Sequence, residues 1–80
     1  MTTIHLERHD PNKNMHRFYQ LEVMCGLFNE WCLIKEWGRV GSSGSIQKNW
    51  FNTEQAANLA TVKLLDAKRK KGYQVSNRSE

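Results

Sequence analysis

Apolar and polar positions alternate along the first two thirds of the chain, and the period then changes. Thr2–Arg8 (TTIHLER) alternates loosely, with Ile4 and Leu6 on one side, and reads as a short strand. Asp10-Pro11-Asn12-Lys13-Asn14 is turn material from end to end. Through Phe18–Cys25 (FYQLEVMC) the alternation is regular. Tyr19, Leu21, Val23 and Cys25 share one face while Gln20 and Glu22 take the other, the mark of a half-buried strand. Gly26–Glu30 turns the chain, and Trp31–Trp37 runs back as the next strand, with Trp31, Leu33 and Trp37 of one parity. Gly38–Gly44 (GRVGSSG) carries three glycines in seven residues and predicts a loop. Ser45–Phe51 is a further strand. Trp50 and Phe51 have opposite parity there, and Phe51 is expected inside.

From Thr53 to Lys71 helix formers dominate. Asn52 is the expected N-cap, with Gln55 placed for the reciprocal capping-box contact. Ala57, Ala60, Leu64 and Ala67 form a stripe at helical spacing with Leu65 on its margin, and Leu59 and Val62 fall outside it. Lys68-Arg69-Lys70-Lys71 closes the helix where cations favour its dipole, and Gly72 is the expected C′ residue. Tyr73–Val75 has room for a last strand. Strands followed by one long helix predict an α+β fold, an antiparallel β-sheet of about four strands with the C-terminal helix packed on one face.

Length and charge narrow the picture. Eighty residues allow one domain, 1–80, with an ordered core over about 4–75 and residues 76–80 expected to fray. The net charge of +4 biases the chain toward polyanions, nucleic acid first and acidic membrane or protein second. No apolar run approaches the roughly 20 residues of a membrane span. Met1–Asp10 holds charges and histidines where a signal peptide needs an apolar stretch, so a cytoplasmic location is expected. Cys25 and Cys32 then read as free thiols, small apolar side chains in strands, although a turn at Phe28–Asn29 would set them opposite each other.

Catalytic and metal chemistry find little purchase. His5 and His9 stand roughly 13 Å apart at strand rise, too far to chelate one ion. His16, Cys25 and Cys32 show no ligand spacing, and no Ser-His-acid or Cys-His set can be composed. A non-enzyme without cofactor, metal or small-molecule substrate is the expectation.

The remaining motif carries a family likeness. Trp37-Gly38-Arg39, followed by Val40-Gly41-Ser42-Ser43-Gly44, resembles the tripeptide for which WGR domains are named. Arg17-Phe18-Tyr19-x-Leu21 looks like the basic-aromatic strand preceding it in that family. Phe51 with Thr53-Glu54-x-Ala56-Ala57 looks like its helix entry, and Lys68-x-x-Lys71-Gly72-Tyr73 like its helix end. The likeness spans about residues 13–75. It implies a central antiparallel sheet with one helix, and a module that in poly(ADP-ribose) polymerases holds a broken DNA end and relays that event to neighbouring domains.

Each candidate residue has a plainer reading beside the functional one. Gly38, Gly41 and Gly44 read first as turn glycines with positive φ, and secondly as an anion nest to which Ser42 and Ser43 add hydroxyls. Trp37 is equally placed to join the core or to offer a stacking platform for a terminal nucleotide. Arg39 either forks onto a phosphate or braces the loop's own carbonyls. Arg17, Lys35 and Lys48 lie on strands and could join Arg39 in a positive surface. Two functions follow: a DNA-binding module for duplex or ends, or an adaptor for a separate protein partner through the same face, the outer sheet or Leu59 and Val62.

Overall fold

In the computed structural model, which describes residues 2–76, five strands form one antiparallel sheet against a single long helix. The strands are β1 (Thr2–Asp10), β2 (Met15–Cys25), β3 (Trp31–Arg39), β4 (Ser45–Phe51) and β5 (Gln74–Val75), and the helix α1 spans Glu54–Lys70. Their order across the sheet is β4-β3-β2-β1-β5. The first four strands are thus a meander of consecutive neighbours. The chain leaves one edge at β4, crosses over the sheet as α1, and completes the other edge as β5.

Alternation decides which face is which. Leu6, Tyr19, Leu21, Val23 and Leu33 are buried on the face that carries α1, joined there by Ala57 of the helix and Tyr73 beyond it. Ile4, Trp31, Trp37, Phe51, Ala60, Leu64 and Leu65 pack against this cluster from its margins. Phe51 therefore points inward as expected, while Trp50 points out and is 58% exposed. A core this small rests on a few fully enclosed side chains, Leu6 and Leu21 above all.

The helix begins and ends by side-chain and backbone rules. Thr53 rather than Asn52 is the N-cap: its backbone is extended and its hydroxyl accepts from the Ala56 amide at 3.1 Å. At the other end Gly72, at φ +101°, lets the Tyr73 amide reach the Lys68 carbonyl and its own amide reach that of Arg69. This is a Schellman closure, and it turns Tyr73 into the core. The buried stripe runs through Ala57 and Thr61 with Ala60, Leu64, Leu65 and Lys68 half-buried, so it departs from the expected one. Ala67 is exposed, and Thr61 enters the stripe because its hydroxyl donates to the Ala57 carbonyl at 2.8 Å.

Two loops differ from expectation. Gly38 and Arg39 belong to β3, paired with Phe18 and Arg17, so the loop is confined to Val40–Gly44. Only Gly41 of the three motif glycines has positive φ, +87°. Gly38 and Gly44 are small for another reason: a Cβ on Gly38 would stand 3.0 Å from Gly44 Cα, and one on Gly44 would strike the Trp37 carbonyl. In the β2–β3 hairpin the Gly26 amide bonds the Glu30 carbonyl and Asn29 takes φ +66°. The register so set opposes Cys25 to Trp31 and Cys32 to Met24. The cysteines do not face each other, and both are free. The expected fraying of 76–80 falls mostly on residues 77–80, outside the described residues.

Two substitutions test this account by urea unfolding. Leu6→Ala empties a fully enclosed site and is expected to cost about 2–5 kcal/mol. Thr53→Ala removes only the cap and is expected to cost about 1 kcal/mol. Equal losses from the two would show that the core is not centred where Leu6 lies.

Candidate nucleic-acid interface

Period two through Trp37-Gly38-Arg39 puts the tryptophan and the arginine side by side on the helix-bearing face, with the glycine on the other. Cross-strand register then extends the arginine into a row. Arg39 is the partner of Arg17, and Arg17 is the partner of Arg8 on β1. Three arginines thus lie abreast across three strands on one face. Like charges directly opposite in a sheet are destabilising. None of the three forms an ion pair among the described residues, where the pairs are His5–Glu7, His9–Glu7 and Lys70–Asp66. No side-chain hydrogen bond among the described residues holds any of the three guanidinium groups, so the internal brace considered for Arg39 is not what its side chain makes.

The wall beside this row is aromatic. Trp37 is half-buried and stacks on Tyr19 with ring centroids 5.7 Å apart and planes 13° from parallel. Tyr73 meets Tyr19 edge-on at 6.3 Å. Trp37 therefore packs on the core with one part and remains open with another. A cleft of about 360 Å³ lies here, lined by Arg17, Trp37, Arg39 and Tyr73 with Lys13 and Asn14 of the first turn.

The helix end brings further cations to the same face. Lys68 Nζ sits 4.4 Å from the Tyr19 ring centroid and 5.7 Å from that of Tyr73, a cation–π arrangement. Burial, and then the charges of Lys71 and Lys35, draw its pKa below the usual lysine value. Tyr19 is displaced the other way, its pKa raised by burial and by Tyr73. Lys35 shares the inner face as the partner of Leu21.

The expected site residues therefore divide. Arg17, Lys35, Trp37 and Arg39 come together on one face. Gly38 spaces the last two from behind, with its Cβ position 3.4 Å from the Phe18 ring. Gly41, Ser42 and Ser43 form the exposed loop next door, and the Ser42 amide is taken by the Arg39 carbonyl. Lys48 lies apart. As the partner of Ile34 it occupies the opposite face of the sheet. The sequence reading did not single out Arg8, and for Lys68 it favoured the helix dipole over a ligand. The β1–β2 register is what brings Arg8 into line, and the turn length between Asp10 and Met15 was its sole sequence signal.

The comparisons with known proteins agree with the motif. Residues 2–80 match the family profile described as WGR domain. The chain is also similar to an uncharacterized protein, y4dW, of Sinorhizobium fredii, 39% identical over 70 residues. That match covers 88% of this chain and 34% of the relative, so the chain spans about a third of the relative's length. No solved structure matches. Through the Trp37-Gly38-Arg39 strand, the helix that follows it and a profile match over almost its whole length, this chain belongs to the WGR domain family.

Proposed function

We propose that this domain binds DNA without catalysing a reaction, through the face that carries Arg8, Arg17 and Arg39. The observation that carries the reading is the row of three arginines without a carboxylate partner, set beside the half-buried Trp37. A phosphodiester backbone supplies the missing counter-charge, and guanidinium forks suit its oxygens. Lys35 and Lys68 extend the field toward the helix. Trp37 and Tyr73 offer ring surface on which the sugar or base of a terminal nucleotide can rest, which favours ends and nicks over closed duplex. Ser42 and Ser43 are exposed in the loop that follows Arg39.

The adaptor reading rests on a different surface. Ile46 and Trp50 on the outer sheet face are 62% and 58% exposed, and Leu59 and Val62 on the helix 57% and 60%. These are the groups a protein partner would cover.

Fluorescence anisotropy with blunt-ended and closed-circular DNA at several salt concentrations decides between them. The expected affinity is micromolar, stronger for the ends, with three to five phosphate contacts giving a slope of log K against log salt of roughly −3 to −4.5. Absence of binding to any DNA at low salt would transfer the function to the adaptor surface. Arg39→Lys keeps the charge and loses the fork, so a clear loss of affinity is expected, and an unchanged one would reduce Arg39 to a point charge. Lys48→Gln, on the opposite face, is the control, expected to leave both affinity and slope in place. Arg17→Gln should instead flatten the slope by about 1.

A further inference from the structure

β4 ends the sheet on its side, with β3 as its neighbour and no strand beyond it among the described residues. Two backbone hydrogen bonds settle which of its groups face that open edge. The Gly26 amide donates to the Glu30 carbonyl at 2.7 Å and the Val40 amide to the His16 carbonyl at 2.9 Å, both in the β2–β3 register. Hydrogen-bonded pairs alternate with non-hydrogen-bonded ones in an antiparallel ladder. The even-numbered residues of β3 therefore bond to β2. Its odd-numbered residues, Trp31 to Trp37, turn their backbone toward Phe51, Asn49, Gln47 and Ser45 of β4. What is left to the edge is the N–H and C=O of Ile46, Lys48 and Trp50. At the far edge the Ser76 amide on the His5 carbonyl obeys the same alternation.

The same three residues supply the side chains around this row. Ile46, Lys48 and Trp50 share the outer face as partners of Glu36, Ile34 and Cys32. Ile46 is 62% and Trp50 58% exposed, and Lys48 stands exposed between them. Lys48 forms no ion pair among the described residues, its diagonal neighbour Glu36 included. Unpaired backbone suits an extended chain, the flanking apolar groups suit apolar side chains opposite them, and the central lysine suits a carboxylate. A second copy of this chain fits the edge poorly. The two-fold register that uses the whole of β4 would set Ile46 against Trp50 but Lys48 directly against its own copy, and like charges so opposed are destabilising. We propose that the β4 edge takes an extended acidic segment of a partner protein as an added strand, with a carboxylate opposite Lys48 and apolar side chains opposite Ile46 and Trp50. In strand addition of this kind main-chain bonds give affinity and alternate side chains give specificity. Ser45 and Gln47 are exposed on the inner face, so the partner's intervening residues are polar. Lys48 and its neighbours lie on the face opposite the arginine row, and the proposal does not depend on the DNA reading.

NMR titration of the isotope-labelled whole protein with the capped peptide Thr-Val-Thr-Glu-Thr-Val-Thr tests this. The peptide reads alike in both directions and sets an acidic residue between two apolar ones at strand spacing. Saturable binding is expected, with the largest amide shifts at Ile46, Lys48 and Trp50. Lysine in place of the peptide's glutamate should weaken binding about 10-fold, and Lys48→Glu, at an exposed position, should reverse that preference. N-methylation of the peptide's glutamate, whose N–H would face β4, should abolish binding. N-methylation of the threonine before it, whose N–H would face away, should be tolerated. No saturable binding up to about 1 mM peptide would overturn the proposal. So would equal binding of the acidic and basic peptides, binding that survives methylation at the glutamate, or shifts centred on Arg17 and Arg39. Dimerisation of the protein alone in sedimentation, lost in Ile46→Lys, would give the edge to a second copy and overturn it as well.

Discussion

The antiparallel register between β2 and β3 is the constraint on which the rest of this domain depends. It places Tyr19 opposite Trp37, Phe18 opposite Gly38 and Arg17 opposite Arg39. A shift by one residue would exchange every inward and outward side chain, sending the core tyrosine to solvent and the arginines to the other face. The glycine between tryptophan and arginine holds that register closely. With hydrogen in place of Cβ, the strand approaches Gly44 on one side while the Phe18 ring covers it from the other. The tripeptide is thus a strand segment whose first and third side chains look inward and whose middle residue allows the loop to fold back. Its chemistry follows from period two rather than from a flexible turn.

Against that sheet the helix contributes less to the core than its length suggests. Two of its residues, Ala57 and Thr61, are buried, and its last inward residue is a lysine. Lys68 ends over the ring of Tyr19 because the Schellman turn directs Tyr73 into the same space. The helix C-terminus therefore delivers cations to a sheet face that already carries three arginines. Concentrating like charge costs stability in a domain whose core has little to spare.

The two faces of the sheet carry different chemistry. The helix-bearing face closes over a core and ends in a basic, aromatic cleft. The outer face mixes Glu7, the three histidines and Gln20 with the apolar Ile46, Trp50 and Met24. Cys32 lies on this outer face and is still buried, in register with Trp50 and Met24, and burial pushes its thiol pKa up. It behaves as a packing group. The uncharacterized relative from Sinorhizobium fredii extends well beyond the matched region, so in that protein the same domain sits beside a longer stretch of chain.

Local pattern alone determined the strands, the single helix and the parity of Tyr19, Leu21, Val23, Leu33 and Phe51, because period two and period 3.6 are written in adjacent residues. It also determined Gly72, since closing a helix with a left-handed residue is a local matter. Tertiary structure decided what register controls. Gly38 and Arg39 read as loop because glycine content marks flexibility in one dimension, whereas a close approach between backbones exists only once β3 has paired with β2. Arg8 could not be seen beside Arg39, thirty-one positions away, until two strand pairings laid them in one row. His16 could not be seen beside His9 until the turn had fixed its length. Lys48 looked equivalent to Lys35, and a single pairing with Ile34 sent it to the other face. Side chains from distant positions meet only through pairings whose offsets depend on turn geometry, and a one-residue change in any turn moves them apart.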